Sequence, residues 1–453
     1  MNPLVLKIKE LLAERKFSEV KEIFKENRVV DMAELFDEFD VKEILTIFKL
    51  LDKESSARLF TYMSDDKQEE LIKEFSSKDI QDIFANIYSD DIVDMLSDLP
   101  ANLTKKILQS TDKETRKEIN LLLSFPEDSA GSIMSCDYFE LIQSDTVGTS
   151  IDKLKKQGNA AETINTCYII DLERRLVGSI ELKDLLFENK KVMIKDIMQK
   201  DPVCVETLDD QEQVAKVMRK YDVSILPVVN DEHRMIGIIT ADDIMDIMEE
   251  EVTEDIHKMN AVNPLEDSYP EASVLSIVKS RLPWLLVLML TSTLNSMVIT
   301  RYENAISLIP VLVGFMPVIM DTAGNGGGQS STVVIRAIAT GDVTYKDGFK
   351  VLLKELGVAL ICSAVMFIIT FVRIDLFPSE LVESSGALNV ALTVSISMVL
   401  ALIIGKIAGG LLPLLVSRLK LDPASVASPI ITTLADLTSL IIFFEIASFF
   451  FKI

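Results

Sequence analysis

The chain has 453 residues, 48% of them hydrophobic, with 70 acidic against 46 basic side chains and a formal net charge of −24. All of that charge lies in residues 1–280, which hold 59 acidic and 35 basic residues, whereas residues 281–453 hold 11 of each. So acidic a region disfavours nucleic acid and anionic lipid as partners and favours cations.

The first apolar residues are interleaved with Lys7, Lys9, Glu10 and Glu14, unlike a signal peptide, so the amino terminus is expected in the cytosol. Residues 1–130 predict short helices with starts at Ser64-Asp-Asp-Lys, Ser76-Ser-Lys-Asp, Ser89-Asp-Asp-Ile and Pro100-Ala-Asn-Leu. Such a series reads as an acidic helical superhelix. Asp90 and Asp94 stand one turn apart on one face, a spacing that costs helix stability unless a cation intervenes. The cysteines, Cys136, Cys167, Cys204 and Cys362, have no metal-ligand spacing and read as reduced thiols.

Residues 131–250 contain an internal repeat. Ser132-Ile-Met134 opens a unit that reaches Gly178-Ser-Ile-Glu-Leu-Lys-Asp184, and Asp196-Ile-Met198 opens one that reaches Gly237-Ile-Ile-Thr-Ala-Asp-Asp243. Strand pairs are expected at 167–171 with 176–180 and at 226–230 with 235–240. The pattern resembles a tandem CBS (α+β) domain. In such modules Gly-x-x-Ser/Thr-x-x-Asp commonly binds a nucleotide ribose, which points to Gly237, Thr240 and Asp243 as a site for ATP or another adenine nucleotide. Glu181 replaces the hydroxyl residue in the first copy, so at most one such site per chain is expected. A purely structural dimerisation module is the alternative.

Eight acids, Asp242, Asp243, Asp246, Glu249, Glu250, Glu251, Glu254 and Asp255, crowd into fourteen residues before the membrane half. Their summed repulsion sets up a two-state switch, because divalent cations between domains would cancel it and favour a compact form.

Five apolar spans follow, at about 282–300, 304–335, 356–373, 387–417 and 424–451, each long enough to cross roughly 30 Å of hydrocarbon. Basic residues concentrate on flanks that are cytosolic if the amino terminus is inside, which leaves the carboxyl terminus extracytosolic. Asp436 lies within the last span, where an ionised carboxylate costs roughly 2.5 to 3.5 kcal/mol and needs a partner, a water cavity or an ion path. In the second span Asp321, Asn325 and Gln329 recur every four residues beside Gly328, a polar face suited to a pore. Close packing of small residues is the competing explanation. Asp422 opens the fifth span, and a ladder weakened by Pro429 would offer the Thr432 carbonyl beside Asp436. Sparse oxygen ligands suit magnesium, which sheds water reluctantly, and the lack of a His or Cys cluster disfavours zinc and copper.

The runs PVIMDTAGNGGGQSSTVVIRAIATGD (317–342), LDPASVASPIITTLAD (421–436) and FPEDSAGSIM (125–134) resemble the MgtE family of magnesium channels. The resemblance implies a multi-pass homodimer in the cell (inner) membrane with its pore on the dimer axis. It implies an N domain at 1–130, a tandem CBS domain at 131–250, a connecting plug helix within 251–280 and a five-helix pore domain at 281–453. It makes Asp436 the pore magnesium ligand and Asp422 an acid near the cytosolic mouth. It also implies regulatory magnesium ligands at Asp90, Asp94, Asp210, Asp222, Asp243, Asp246, Glu251, Glu254 and Asp255. The expected function is magnesium influx, gated shut by cytosolic magnesium, with no catalysis. A proton-coupled divalent cation carrier and a membrane-tethered nucleotide sensor are the rivals.

Overall fold

The computed structural model describes residues 2–265, 269–270, 272–376, 379–426 and 428–452, without the side chains of Asp98, Leu381, Val426 and Ser428. It comprises two compact units, Met1–Met248 and Glu249–Ile453.

The first unit opens with helices α1 (Pro3–Ala13), α2 (Phe17–Glu26), α3 (Val29–Ala33), α4 (Val41–Leu50), α5 (Lys53–Thr61), α6 (Asp65–Glu74), α7 (Ser77–Phe84), α8 (Ser89–Asp98), α9 (Ala101–Ser110) and α10 (Lys113–Leu122). From α2 onward they begin every twelve residues, at 17, 29, 41, 53, 65, 77, 89, 101 and 113. The same period runs through the core. Phe24, Phe36, Phe48 and Phe60 form consecutive ring contacts of 5.9, 6.1 and 6.5 Å, and Phe84 continues from Phe60 at 5.9 Å. Each helix buries one aromatic or aliphatic stripe and cannot cover it alone, so stacking is forced. Ser76 caps α7 in a reciprocal box with Asp79. Ser89, expected at a helix start, is the first residue of α8, and its hydroxyl accepts the Cys136 amide at 2.8 Å.

The repeat follows as β1 (Tyr138–Ile142), α11 (Val147–Gln157), β2 (Thr163–Ile170), β3 (Leu176–Glu181), α12 (Leu182–Phe187), α13 (Ile194–Ile197), β4 (Gln199–Lys200), β5 (Val205–Glu206), α14 (Gln211–Tyr221), β6 (Ile225–Val229), β7 (Met235–Thr240) and α15 (Ala241–Met259). Two sheets form, in the orders β1-β2-β3-β4 and β5-β6-β7. The two expected hairpins are β2–β3 and β6–β7. The openers, however, cross over. Ser135 exchanges both backbone hydrogen bonds with Ile238 of the second repeat, while β4 pairs with β3 of the first. Met134 fills the space left by the missing Cβ of Gly237, and Met198 does the same at Gly178. Each unit is therefore completed by the other's first residues.

In the second unit the segment after α15 is not one helix across 251–280. Helix α15 ends at Met259 and α16 (Val274–Arg301) begins fifteen residues later, with 266–268 and 271 outside the described residues. Helices α17 (Glu303–Leu308), α18 (Met316–Ala339), α19 (Gly348–Leu376), α20 (Glu380–Ser384), α21 (Ala387–Arg418) and α22 (Ser428–Phe451) follow. Four helices among the described residues are long and apolar enough to cross a membrane, at Val274–Arg301, Tyr345–Leu376, Ala387–Arg418 and Pro429–Phe451. The expected five-helix count is thus inexact. The second span is broken into α17, a 3-10 segment at Pro310–Phe315 and α18, and the polar, Gly-rich sequence of α18 lowers its hydropathy.

The membrane-half core is built by α18, α21 and α22, which bury Ile319, Ala323, Val394, Met398, Ala435 and Phe443. Here α18 and α21 meet backbone to backbone. A Cβ on Gly405 would meet the Ala323 carbonyl, and one on Gly409 the Gly327 carbonyl, atoms that cannot yield without separating the helices. Gly409→Ala is expected to lower the melting temperature of the detergent-solubilised protein, while Gly357→Ala, where a Cβ meets nothing within 4 Å, leaves it unchanged or slightly raised.

Candidate metal sites and ion path

In the first unit, Asp90 in the first turn of α8, Glu162 just before β2 and Asp243 in the first turn of α15 present carboxylate oxygens within 4.8 Å of one another. Asp90 is 7% exposed, and its Oδ1 and the Glu162 Oε2 are shielded from water without a hydrogen-bond partner. Burial, then the charges of Glu162, Asp243 and Asp91, push the Asp90 carboxyl well above the usual carboxylate range. Burial lifts Glu162 to about 7. Partial desolvation, reinforced by Asp243, Asp242 and Asp137, lifts Asp91 to about 6. Asp243 is also raised by burial, against two hydrogen bonds from Thr240. The cluster is one cation short.

Its size fits one. Opposite oxygens around octahedral magnesium stand about 4.2 Å apart, so three oxygens within 4.8 Å need little movement to ligate it. Asp90 and Asp243 were expected ligands; Glu162 was not, because nothing in Ala160-Ala-Glu-Thr sets it apart until the topology brings β2 beside α8.

Other expected ligands lie elsewhere. Asp94 and Asp246 are exposed and outside this trio. Asp210 caps α14 by accepting the Glu212 amide, and Asp222 ends the same helix with a positive φ of 55°. Both therefore have local structural duties. Gly237 is accounted for by Met134, and Thr240 donates its hydroxyl to Asp242 or Asp243, each at 2.6 Å, where it starts α15. Thr240 and Asp243 still line a cleft of about 940 Å³ with Tyr62, Tyr168 and Tyr221. Its wall carries Asp90, Asp91, Glu162, Glu181, Asp184, Asp222, Asp242 and Asp243, and no Lys, Arg or His among the described residues.

In the second unit Glu251, Glu254 and Asp255 are half-buried on α15. Glu254 Oε1 is 2.6 Å from Lys258 Nζ, and the same nitrogen is 3.0 Å from Asp422 Oδ2. Asp422 also accepts the Ala424 amide through Oδ1 at 2.8 Å.

Asp436 is half-buried on α22, and its Oδ1 lies 3.7 Å from where a Cβ of Gly324 would stand; the Thr432 methyl is nearer still, at 2.9 Å. Gly324 therefore lets α18 approach the Thr432–Asp436 face. Pro429 does not break the helix as expected. It is the second residue of α22, where an amide hydrogen has no partner within the helix, so the ladder at Thr432 is not weakened by it. On α18, Asp321, Asn325 and Gln329 are exposed and Gly328 is partly so, while Ala323, Gly326, Gly327 and Ser330 are buried. The polar face thus points away from the chain's own helices.

Sequence reasoning also missed Lys406, mid-α21 and only 6% exposed. Its Cγ lies near Gly326, one turn from Ser330, whose hydroxyl donates to Glu355 Oε2 at 2.6 Å. Glu355 in turn packs on Gly410, one turn beyond Lys406.

Comparisons with known proteins follow the same division. A family model for a divalent cation transporter, MgtE, matches residues 316–446, one for the MgtE intracellular N domain matches 27–128, and a CBS model matches 194–250. The magnesium transporter MgtE of Thermus thermophilus is 36% identical over 336 residues, 74% of this chain and 73% of that one. That of Enterococcus faecalis is 33% identical over 339 residues, 75% and 73%. The solved soluble part of a magnesium transporter aligns with a TM-score of 0.52 at 29% identity, over 55% of this chain and 97% of that one. The cytosolic domain of the Mg2+ channel MgtE in complex with ATP aligns at 0.50 and 30%, over 54% and 99%.

Carboxyls with raised folded pKa values hold protons that the unfolded chain releases, so they favour folding below their ordinary pKa and lose that contribution as pH rises through the folded value. With Glu162 near 7 and Asp91 near 6, the melting temperature of metal-free protein is expected to fall between pH 5 and about 8. Added magnesium should raise it more at the upper end, and an increment independent of pH would contradict the cluster. Glu355→Gln, which weakens the hydrogen bond from Ser330, and Lys406→Met, which removes a buried charge, are each expected to change the melting temperature of the detergent-solubilised protein, with Lys406→Met the larger effect.

Proposed function

The chain belongs to the MgtE family of divalent cation transporters, and from that premise we propose that it is a magnesium channel closed by cytosolic magnesium. The observation that carries this reading is Asp436, held beside Gly324 where two glycine-paired helices leave a polar face open. An exposed row of Asp321, Asn325 and Gln329 is costly against lipid, and a second copy would cover it, which supports a homodimer with the ion path between copies. One or two carboxylates with amide and backbone oxygens suit an ion that keeps most of its water.

Regulation rests on the Asp90–Glu162–Asp243 trio and on the acids of α15. Loading them cancels repulsion, so magnesium binds the compact form better than the loose one, as a population shift requires. Asp94, Asp210, Asp222, Asp246, Glu251 and Asp255 would act as outer carboxylates that draw hydrated ions toward these sites. The cleft beside Thr240 is the place for an adenine nucleotide, as the ATP complex of the related cytosolic domain supports. Its wall of carboxylates would repel free phosphates, so the nucleotide would enter with a divalent cation.

The polarity of the membrane half, with the amino terminus cytosolic and the carboxyl terminus outside, follows from its basic flanks. A tethered nucleotide sensor with inert spans gives no reason for Asp436, and a proton-coupled carrier would move protons with the metal. Asp436→Ala in liposomes is expected to cut magnesium flux by at least about tenfold with folding intact, as loss of a buried ion ligand worth over about 1.4 kcal/mol would. Normal flux in that variant would refute the pore assignment, and magnesium entry accompanied by stoichiometric proton movement would favour the carrier.

A further inference from the structure

Lys258 stands between two carboxylates, one that the family resemblance makes a regulatory magnesium ligand and one that it puts near the cytosolic mouth. Its ammonium lies between Glu254, one turn earlier on α15, and Asp422, just before α22. The Asp422 Oδ2 that faces it is shielded from water and makes no hydrogen bond, so the ammonium is the charge it answers to. A lysine here is a tethered cation that needs no ion from solution.

We propose that Lys258 is an internal competitor for this carboxylate pair and sets the magnesium concentration at which the channel closes, an inference that rests on the gating reading above. An ammonium holds the two oxygens at 2.6 and 3.0 Å. Magnesium would hold them at about 2.0 to 2.1 Å and with twice the charge. Exchanging one for the other therefore draws the last turns of α15 toward the start of α22. The ammonium is the loose form of the link and the divalent ion the tight one. Because the lysine is covalently attached, its local concentration is high, and an ion from solution must displace it.

The pair is partly exposed, with side-chain accessibilities of 28% for Lys258 and 37% for both acids, so its strength is modest and displacement by millimolar magnesium is feasible. A buried, fully desolvated lysine would lock the site permanently. Glu251 and Asp255 flank Glu254 on the same helix and add negative potential, with His257 as the one residue of basic type between them and Lys258 in the sequence.

The test uses full-length protein in detergent, with protease protection of the α15 segment titrated against magnesium, and flux in liposomes titrated the same way. Lys258→Gln is expected to lower the magnesium concentration for half-maximal protection and for half-maximal closure by about two- to fivefold, the range a half-exposed ion pair allows. Lys258→Arg, which keeps the cation, should stay near wild type. Midpoints unchanged in Lys258→Gln, or raised, would overturn the competitor role while leaving magnesium gating in place. Wild-type protein whose protection and flux ignore magnesium would instead remove the gating reading on which it rests.

Discussion

The cytosolic half is governed by the cost of bringing carboxylates together without basic residues between them. Two unit charges at 4.8 Å repel by about 3 to 4 kcal/mol at an effective dielectric of 20. Against this stands apolar burial. Ile92 and Val93 of α8, Met134 of the crossed-over opener and Ile244 of α15 belong to one core that runs from the helical stack into the second repeat. Each such side chain contributes roughly 1.5 to 3 kcal/mol when buried. Push and pull are of one order, so an ion that neutralises the trio decides which wins. Protons can do the same at low pH, and the raised carboxyls of Asp90 and Glu162, lifted by burial first and by neighbouring charge second, express that same demand for a positive charge.

The membrane half solves a different problem by the same economy of groups. Bringing α18 and α21 into backbone contact at Gly327, Gly405 and Gly409 leaves no room for side chains on that face. The polar residues of α18 are thereby displaced to the opposite face, and Gly324 leaves Asp436 and Thr432 against the helix backbone. The Gly-rich run thus carries both close packing and a polar row. The structure puts the packed small residues and the exposed polar residues on opposite faces of the helix.

Legibility in the sequence tracked how local each signal was. Asp436 stood out because a carboxylate in an apolar run has no cheap explanation, and both hairpins of the repeat were visible as alternating strands closed by turns. The twelve-residue period is written in Phe24, Phe36, Phe48 and Phe60, a spacing too long for the local patterns that mark the short helices. Glu162 was invisible because its role depends on a strand crossing 72 residues from Asp90, and the exchange of openers between repeats left no local trace. Pro429 misled because a proline breaks a helix only once the helix has begun, and α22 starts one residue before it.

Helix α15 carries Asp243 in its first turn and Glu254 and Lys258 in its last turns. An ion bound at either end therefore acts on one element, and the two ends differ in what they hold beforehand. The Asp90–Glu162–Asp243 trio has no resident cation among the described residues, so its energy changes most when the first ion arrives. The Glu254–Asp422 pair already has Lys258, so magnesium there gains only the difference between a divalent ion and an ammonium. Under the proposed gating, charge would therefore grade the two: the trio would respond first as magnesium rises, and the lysine-filled pair would follow at a higher concentration.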